Sequence, residues 1–355
     1  MSGPIEEAPE PAPETEVRPE QLSLSRRLRQ PRTIIAILIP IIVLVAFAYL
    51  NRDQLARVPG LILAANPLLL LAAFAVFYLG FPLRGYRWAV LLRRTNIHLR
   101  TRDATEILFL SWFVNCIVPA KLGDVYRAYL LKINSPVSLS RTFGTVFIER
   151  VLDLFAIVTL GLAAGFVSFR TGLPADVQVV FALGIGVVLL LAGGLLTLRN
   201  LGRRILTRLP IPHRVLELYD RFEEGVFSSL GVRALPRPVI LTGFIWATEA
   251  MRLYLVVQAL GLSDVHLGIS GAFFVALIAS LLTAVPLSPA GLGIVEVGMV
   301  GILSAPWAYN VPLPEATAIA LLDRAISVFS IIVLGAIAYA ISGKGRGAGV
   351  TVAPA

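Results

Sequence analysis

Long apolar runs alternate with short polar loops along most of this chain. A helix that crosses a membrane needs about 20 apolar residues. Runs of about this length cover Thr33 to Leu50, Pro67 to Leu92, Arg141 to Phe169, Val177 to Leu198, Val239 to Leu260 and Glu315 to Ile341. The pattern predicts an all-α polytopic membrane protein with about six full spans, in a membrane domain over 31–342.

Two further apolar segments are interrupted near their middle by proline and glycine. They cover 104–132 and 269–305, and the predicted breaks fall at Pro119, Gly123, Pro286 and Pro289. Each half is too short to cross a membrane by itself. Interrupted segments are typical of re-entrant hairpins and broken helices, which are tolerated where they line a cavity. The sequence therefore predicts two helical hairpins of this kind.

The two interrupted segments carry an internal repeat. The string PAKLGDVY at Pro119 to Tyr126 returns 170 residues later as PAGLGIVE at Pro289 to Glu296, with five of eight positions identical. Each string is followed by a long apolar run with an acid beside an arginine, Glu149-Arg150 and Asp323-Arg324. We interpret the halves as inverted repeats over about 67–169 and 238–341. Two ordinary helical hairpins with proline kinks are the alternative.

Basic residues gather in the loops that this arrangement places on one side of the membrane. They include Arg93, Arg94, Arg100 and Arg102, the arginines of a connector over 199–237, and Lys344 and Arg346. The opposite side keeps few cations: Arg52, Arg57 and Arg170. The positive-inside rule then predicts a protein of the cell membrane with both termini cytoplasmic. Residues 1–30, rich in Pro and Glu, are predicted to be a disordered tail and 343–355 a second cytoplasmic tail.

Composition narrows the class of protein. Of 355 residues, 57% are hydrophobic and 15% are charged, and the formal net charge is +9. The cations lie in short loops and not on a soluble face, which argues against nucleic-acid binding. The single cysteine, Cys116, cannot form an internal disulfide, and the three histidines are scattered through loops. We therefore predict no metal site and no cofactor.

Charged residues also fall inside the apolar segments, where an ionised side chain costs about 2.5 to 3.5 kcal/mol even on a lenient scale. We predict that four arginines hold a phosphate, and that six acids pair with them or carry a coupling proton. The arginines are Arg127, Arg150, Arg252 and Arg324, and the acids are Asp124, Glu149, Asp153, Glu249, Glu296 and Asp323. Spacing of three residues favours the pairs Asp124–Arg127, Arg150–Asp153 and Glu249–Arg252. Purely structural ion pairs, or snorkelling in the case of Arg84 and Arg87, are the alternative.

The helix breaks predict a second device for binding an anion. A helix that starts after a break leaves free N–H groups and the positive end of its dipole facing the cavity. Gly291 and Gly293 permit close approach of a ligand to the backbone, and Ser288 offers a hydroxyl. A cavity lined by arginine and by helix N-termini favours a phosphate, and in a membrane the natural phosphate is a lipid headgroup.

These strings resemble the transmembrane, flippase-like domain family of the lysylphosphatidylglycerol synthases. The resemblance rests on Asn115 to Arg127, Glu149-Arg150 with Asp153, Pro286 to Glu296, and Arg324, and it adds Asn115 to the candidate headgroup ligands. It implies a membrane domain that moves or binds anionic or aminoacylated lipids. The synthases continue into a soluble aminoacyl-transfer domain, whereas this sequence ends at Ala355, so lysyl transfer is not expected.

Three functions remain open on the sequence alone. The first is a lipid transporter or flippase acting on a membrane phospholipid or a polyprenyl-phosphate lipid; without a P-loop, its driving force must be a gradient or a partner. The second is a membrane-embedded enzyme acting on such a lipid, for which His98 and Asp103 have the spacing of a base and its orienting acid. The third is a non-transporting partner of a separate enzyme, docked through a basic connector that also suits an anionic lipid surface. Homo-oligomerisation is compatible with each.

Overall fold

The computed structural model describes residues 31–118, 121–169, 175–197, 212–229, 235–262, 267–283 and 288–346, with Arg208, Val265 and Gly349. Within them the regular elements are helices, which confirms the all-α prediction. The helices are α1 Pro31–Leu50, α2 Arg52–Leu55, α3 Val58–Ala64, α4 Pro67–Arg93, α5 Thr101–Ile117, α6 Leu122–Asn134, α7 Leu139–Ser168, α8 Ala175–Thr197, α9 His213–Ser229, α10 Pro236–Ala259, α11 Ile269–Leu282, α12 Ile294–Ser304, α13 Leu313–Arg324 and α14 Ser330–Ile341. A π-helical turn, Ala325–Phe329, joins α13 to α14.

Four helical segments of the described chain are long and apolar enough to cross a membrane. They are Pro67–Arg93, Leu139–Ser168, Pro236–Ala259 and Leu313–Ile341, the last comprising α13, the π turn and α14. A fifth results if the pair Ile37–Leu50 and Arg52–Ala64 counts as one span, although its axis bends by 85°. Of the six predicted spans, the described residues therefore support four, or five with the bent pair. The first apolar run is bent where polar residues follow Leu50, and α8 has only a shorter apolar stretch, Ala182–Gly194.

Both interrupted segments form helix–break–helix units. We call the unit of α5 and α6 hairpin 1 and the unit of α11 and α12 hairpin 2. At the breaks the backbone enters the left-handed region, with φ of 50° at Lys121 and Ala290, 71° at Gly291 and 84° at Gly293. An α-helix cannot continue through residues with this backbone conformation, so the chain turns at the break of each segment. Of the predicted breaks, Pro289 opens a short 3₁₀ turn, whereas Pro119 and Pro286 lie outside the described residues.

Gly123 does not break the chain but lets the two helices of hairpin 1 touch. It lies in α6, and a Cβ atom there would fall 2.1 Å from the carbonyl oxygen of Ser111 in α5. Its backbone N–H donates a 2.8 Å hydrogen bond to Oδ1 of Asn115, also in α5. Only glycine permits this approach, so the residue closes the hairpin and does not turn it.

The central pair of helices, α4 and α10, runs antiparallel. At one end the Asn66 N–H, at the cap of α4, donates to the Ala259 carbonyl, where α10 ends, over 2.7 Å. Towards the other end Arg87 of α4 donates to Thr242 of α10, also over 2.7 Å. The helices around this pair pack against helices of the other half of the chain: α7 packs against α11, and α5 packs against α14. Each half of the chain thus covers the hairpin of the other.

Two further elements lie beside this arrangement. Helix α9, within the predicted connector, packs through Phe222 and Val226 against α7. After α14 the chain turns back to hairpin 1, where Lys344 binds Asp103 and Glu106 near the start of α5. The predicted N-terminal tail, much of the connector and the last residues lie outside the described residues, so the domain boundaries remain predictions.

Candidate functional site

A cavity of about 390 Å³ lies between the two hairpins and the long helices. We call it the central cavity. Its lining draws on α4 to α7, α10 to α13, both helix breaks and the π turn. The charged part of the lining consists of Arg84, Lys121, Asp124, Arg150, Asp153, Glu249, Arg252, Asp323 and Arg324. Nine ionisable groups around one cavity in a largely apolar chain are costly to bury, and such groups mark substrate or ion pathways.

One side of the cavity is built on the α4–α7 contact. Arg87 of α4 donates to Glu149 over 3.2 Å and to Asp153 over 2.6 Å, one turn apart on α7. Glu149 also binds Arg127 of α6, and Asp153 accepts a 3.3 Å bond from the indole of Trp246. Arg87, Arg127 and Glu149 are almost fully buried. The group is charge-paired as burial requires.

The opposite side repeats this arrangement on α10 and α13. Arg252 of α10 binds Asp323 of α13 over 2.8 Å and also binds Glu249, one turn away on its own helix. The second oxygen of Glu249 accepts a 2.5 Å bond from Arg84 of α4. Aromatic rings face the guanidinium groups: Arg84 lies 4.7 Å from the ring of Trp112 and Arg252 lies 5.0 Å from that of Phe77. Stacking of this kind stabilises a desolvated cation.

Each hairpin is tied to its long helix by a matching ion pair. In hairpin 1, Arg150 of α7 binds both oxygens of Asp124, in the first turn of α6, over 2.9 and 2.8 Å. In hairpin 2, Arg324 at the end of α13 binds Glu296, in the first turn of α12, over 2.7 Å. Arg324 also donates to the carbonyl of Ala290 at the break, over 2.6 Å. Both arginines line the cavity, so the hairpin breaks and these cations face the same space.

One wall of the central cavity is apolar. Leu154 and Ile157 of α7 and Ala276 and Ala279 of α11 belong to its lining, and the two helices pack against each other. The adjacent surface of α7 is also apolar, since Phe155 is exposed. Because α7 and α11 come from different halves, the charged chamber has a hydrocarbon-like side at their contact. A ligand with a charged head and an apolar tail fits both parts.

Most of the predicted site residues reach this cavity. Asn115, Asp124, Arg150, Asp153, Glu249, Arg252, Ser288, Gly291, Asp323 and Arg324 belong to its lining. Arg127, Glu149 and Glu296 instead stand behind it, each bonded to a charged residue of the same network. Gly293 faces α1, since a Cβ atom there would lie 3.0 Å from Cβ of Pro40. A direct contact of Arg127 or Gly293 with a ligand is therefore not supported by their positions.

One detail of the sequence prediction was wrong. Asp124 and Arg127 do not pair on their own helix, because each binds a residue of α7, Arg150 and Glu149 respectively. At each of the two helix starts one N–H already has a side-chain partner. The N–H of Gly293 donates to Glu296 over 2.6 Å, and that of Gly123 to Asn115. In α12 the partner is therefore an acid in the first turn of the same helix, whereas in α6 it comes from α5.

The sequence prediction also missed residues of the site. Arg84 and Arg87 were expected to snorkel or to form structural pairs; they are 4% and 2% exposed, so the pairing holds and the snorkelling does not. They lie nine and six residues before the helix end at Arg93, a position that suggested snorkelling. The acids that pair with them come from α10 and α7, which the sequence of α4 does not reveal. Trp112 and Trp246 also line the cavity, as does Lys121, which lies in the repeated string Pro119 to Tyr126. A tryptophan inside an apolar run gives no signal of its own.

The fold and the site define a multi-pass helical membrane protein with an ion-paired polar cavity enclosed by its hairpins. The chain belongs to the family described as the lysylphosphatidylglycerol synthase TM region, whose model matches residues 33–335. This confirms the resemblance found in the sequence.

Relatives come from several archaea. A UPF0104 membrane protein of Methanocaldococcus jannaschii is 37% identical over 229 residues, covering 64% of this chain and 93% of the relative. A UPF0104 membrane protein of Methanothermobacter thermautotrophicus is 29% identical over 279 residues, 72% of this chain and 77% of the relative. Glycosyltransferase AglD of Haloferax volcanii is 28% identical over 344 residues, 86% of this chain but 54% of that protein. This chain thus corresponds to about half the length of AglD.

Proposed function

We propose that the protein transports a lipid whose headgroup carries a phosphate, with the headgroup crossing through the central cavity and the acyl or prenyl tail remaining in the membrane. The observation that carries this proposal is the joint lining of one cavity by Arg150, Arg324 and an apolar wall. Guanidinium groups bind phosphate oxygens with paired hydrogen bonds. The cavity volume of about 390 Å³ is in the range of sites for small ligands, about 300 to 1,000 Å³.

The architecture supports movement around such a site. We infer that the halves are inverted repeats, with α4 to α7 matched by α10 to α14, and that both termini are cytoplasmic. Antiparallel α4 and α10 fit a pseudo-two-fold axis in the membrane plane, and so does the exchange of hairpins between halves. In transporters of this design the halves rock around a fixed site near the midplane. The carboxylates bonded to each arginine would neutralise it between cycles, or carry a coupling proton.

Translocation of a fluorescent phosphatidylglycerol in proteoliposomes tests the proposal. Arg150→Ala and Arg324→Ala should each lower the rate by about tenfold or more, the effect of one or two lost charge-assisted hydrogen bonds. Arg141→Ala is the matched control, since Arg141 forms an ion pair with Glu224 on α9, away from the cavity. Circular dichroism and elution volume identify variants that have not folded, and Arg150→Lys keeps the charge in case the alanine variant fails. Normal transport by folded Arg150→Ala and Arg324→Ala proteins would reject the proposal.

A second function is favoured by the similarity to AglD. That relative is a glycosyltransferase, and its region similar to this chain is about half of its length. The central cavity would then present a lipid or polyprenyl phosphate for glycosyl transfer, by this chain or by a separate enzyme bound to it. Incubation of the purified protein with a radiolabelled lipid-linked sugar, alone and with membrane extract, distinguishes the two functions. A glycosylated product without translocation would favour the second.

A further inference from the structure

The arginines and carboxylates around the central cavity balance in charge. Each of six arginines is bonded to at least one of six carboxylates, and each carboxylate is bonded to at least one arginine. The arginines are Arg84, Arg87, Arg127, Arg150, Arg252 and Arg324, and the carboxylates are Asp124, Glu149, Asp153, Glu249, Glu296 and Asp323. With all of them ionised, their charges cancel. The network by itself therefore has no need of an anion.

Lys121 adds one positive charge to this balanced network. It stands at the break of hairpin 1, between α5 and α6, with φ 50° and ψ 35°, a conformation that residues other than glycine rarely adopt. Its side chain lines the cavity. Among the residues that the structure describes, its ammonium has no hydrogen bond and no carboxylate within ion-pair distance. Asp124 and Asp153 are the acids that attract the Lys121 ammonium electrostatically. Both are already bonded to Arg150.

Lys121 is partly exposed at the cavity, so water can solvate its ammonium in the free protein. A headgroup that enters the cavity displaces this water, and the cost of doing so falls when the headgroup brings an anion. One negative charge is enough, because the rest of the network is neutral. A ligand with two negative charges would find no second unpaired cation among the described lining residues. Its net charge would therefore be balanced no better than that of an uncharged ligand.

We propose that Lys121 selects a ligand with one net negative charge, namely a lipid phosphodiester whose headgroup carries no cation of its own. This rests on the proposed function and names its substrate class. A zwitterionic headgroup brings an ammonium with its phosphate and leaves Lys121 uncompensated. A phosphate monoester carries a charge of about −1.5 to −2 at neutral pH and exceeds what the cavity balances. Phosphatidylglycerol has the charge that fits.

Lipid competition on the full-length protein tests the selection. The protein is placed in vesicles of equal parts phosphatidylglycerol, phosphatidylcholine and phosphatidic acid, and the lipids that remain bound after extraction are counted by native mass spectrometry. The native protein should retain phosphatidylglycerol over the other two by about tenfold, the effect of one charge-assisted bond. Lys121→Gln should bring the three close to parity, and Lys121→Arg should keep the preference. Arg57→Gln, which removes an exposed cation outside the cavity, should also keep it.

The outcomes separate this inference from the proposed function. Lys121→Gln removes no hydrogen bond or ion pair of the described chain, so its melting temperature should match that of the native protein. If the folded Lys121→Gln protein prefers phosphatidylglycerol as strongly as the native protein does, the proposal that Lys121 selects the lipid by charge is wrong. The proposal that the cavity binds a lipid would still stand. If the native protein retains no phospholipid, the proposed function fails as well. Glycerophosphoglycerol, the same headgroup without acyl chains, should not displace the lipid at equal concentration; displacement would overturn the assignment to a lipid.

Discussion

Arg324 and Glu296 are joined by a 2.7 Å hydrogen bond from the guanidinium Nε to one carboxylate oxygen. The other oxygen of Glu296 accepts the N–H of Gly293, over 2.6 Å, at the start of α12. One carboxylate therefore links the end of α13 to the break in hairpin 2. Asp124, in the first turn of α6, ties Arg150 to hairpin 1 through both of its oxygens, without a cap hydrogen bond at that helix. Each long helix thus fixes the position of one hairpin tip.

Replacing Glu296 by Gln should destabilise the protein strongly, because it leaves Arg324 buried beside a neutral partner. Loss of one member of a buried ion pair costs about 3 to 5 kcal/mol. The melting temperature in detergent measures the effect. Glu224→Gln is the control, since Glu224 pairs with Arg141 in a partly exposed position where an ion pair contributes about 1 kcal/mol or less. Equal losses in the two variants would show that Glu296 has no special structural role.

Gly123→Ala should disrupt hairpin 1, because the added methyl group would overlap the backbone of α5 at Ser111. The helices must separate, and the bond between Gly123 and Asn115 is then lost. We expect lower thermal stability and weaker lipid binding. Gly243→Ala is the matched control, since Gly243 lies within α10 and nothing stands within 4 Å of its Cβ position; it should be neutral or stabilise by up to about 1 kcal/mol. A Gly123→Ala protein as stable as native would contradict the close contact.

The proposed orientation predicts which loops face each side of the membrane. In a Cys116→Ser background, a cysteine at Asn310, exposed between α12 and α13, should react with a membrane-impermeant maleimide added to intact cells. A cysteine at Arg94, exposed after α4, should react only after permeabilisation, because the basic loops remain inside. The reverse labelling pattern would mean that the termini face outwards.

The contact of Lys344 with hairpin 1 should depend on pH. Burial opposes ionisation of Glu106, but the Lys344 ammonium and the Ser342 hydroxyl hold the pKa of that carboxyl below its usual value of 4.5. A lowered acid pKa means that the contact is fully present above about pH 4.5 and is lost as the pH falls through the lower folded value. Hydrogen exchange at the start of α5 should therefore rise below pH 4.5, and Lys344→Ala should raise it at neutral pH. Exchange that is unchanged in both cases would show that the tail does not hold the hairpin.

The features that could be predicted from the sequence are those that depend on local composition. Proline and glycine inside apolar runs marked both segments as interrupted, because they disfavour a continuous α-helix, although the backbone turns at Lys121 and at Ala290 to Gly293. An acid beside an arginine in an apolar run identified Arg150 and Arg324, because such charges are too costly to retain without a partner or ligand. The repeated string located the second hairpin from the first.

The features that could not be predicted depend on which helix lies beside which. The spacing of Asp124 and Arg127 is correct for a pair on one helix, yet α7 offers each a partner across the helix contact. The bend after Leu50 could not be predicted without knowing which helices pack against it. The burial of Arg84 likewise depends on its ion pair with Glu249, 165 residues away. Nothing in the sequence sets Lys121 apart from the other charged residues of the apolar segments. Among the described residues that line the cavity, the ion pairs of the three-dimensional structure distinguish it as a cation without a carboxylate partner.

A structure of the protein determined by cryo-electron microscopy in nanodiscs of phosphatidylglycerol tests the central claim most directly. We predict density for a phosphate in the central cavity within hydrogen-bonding distance of Lys121, Arg150 or Arg324, with acyl-chain density leaving along the contact of α7 and α11. Phospholipid density confined to the outer surface, with the cavity holding only water between the same ion pairs, would contradict it.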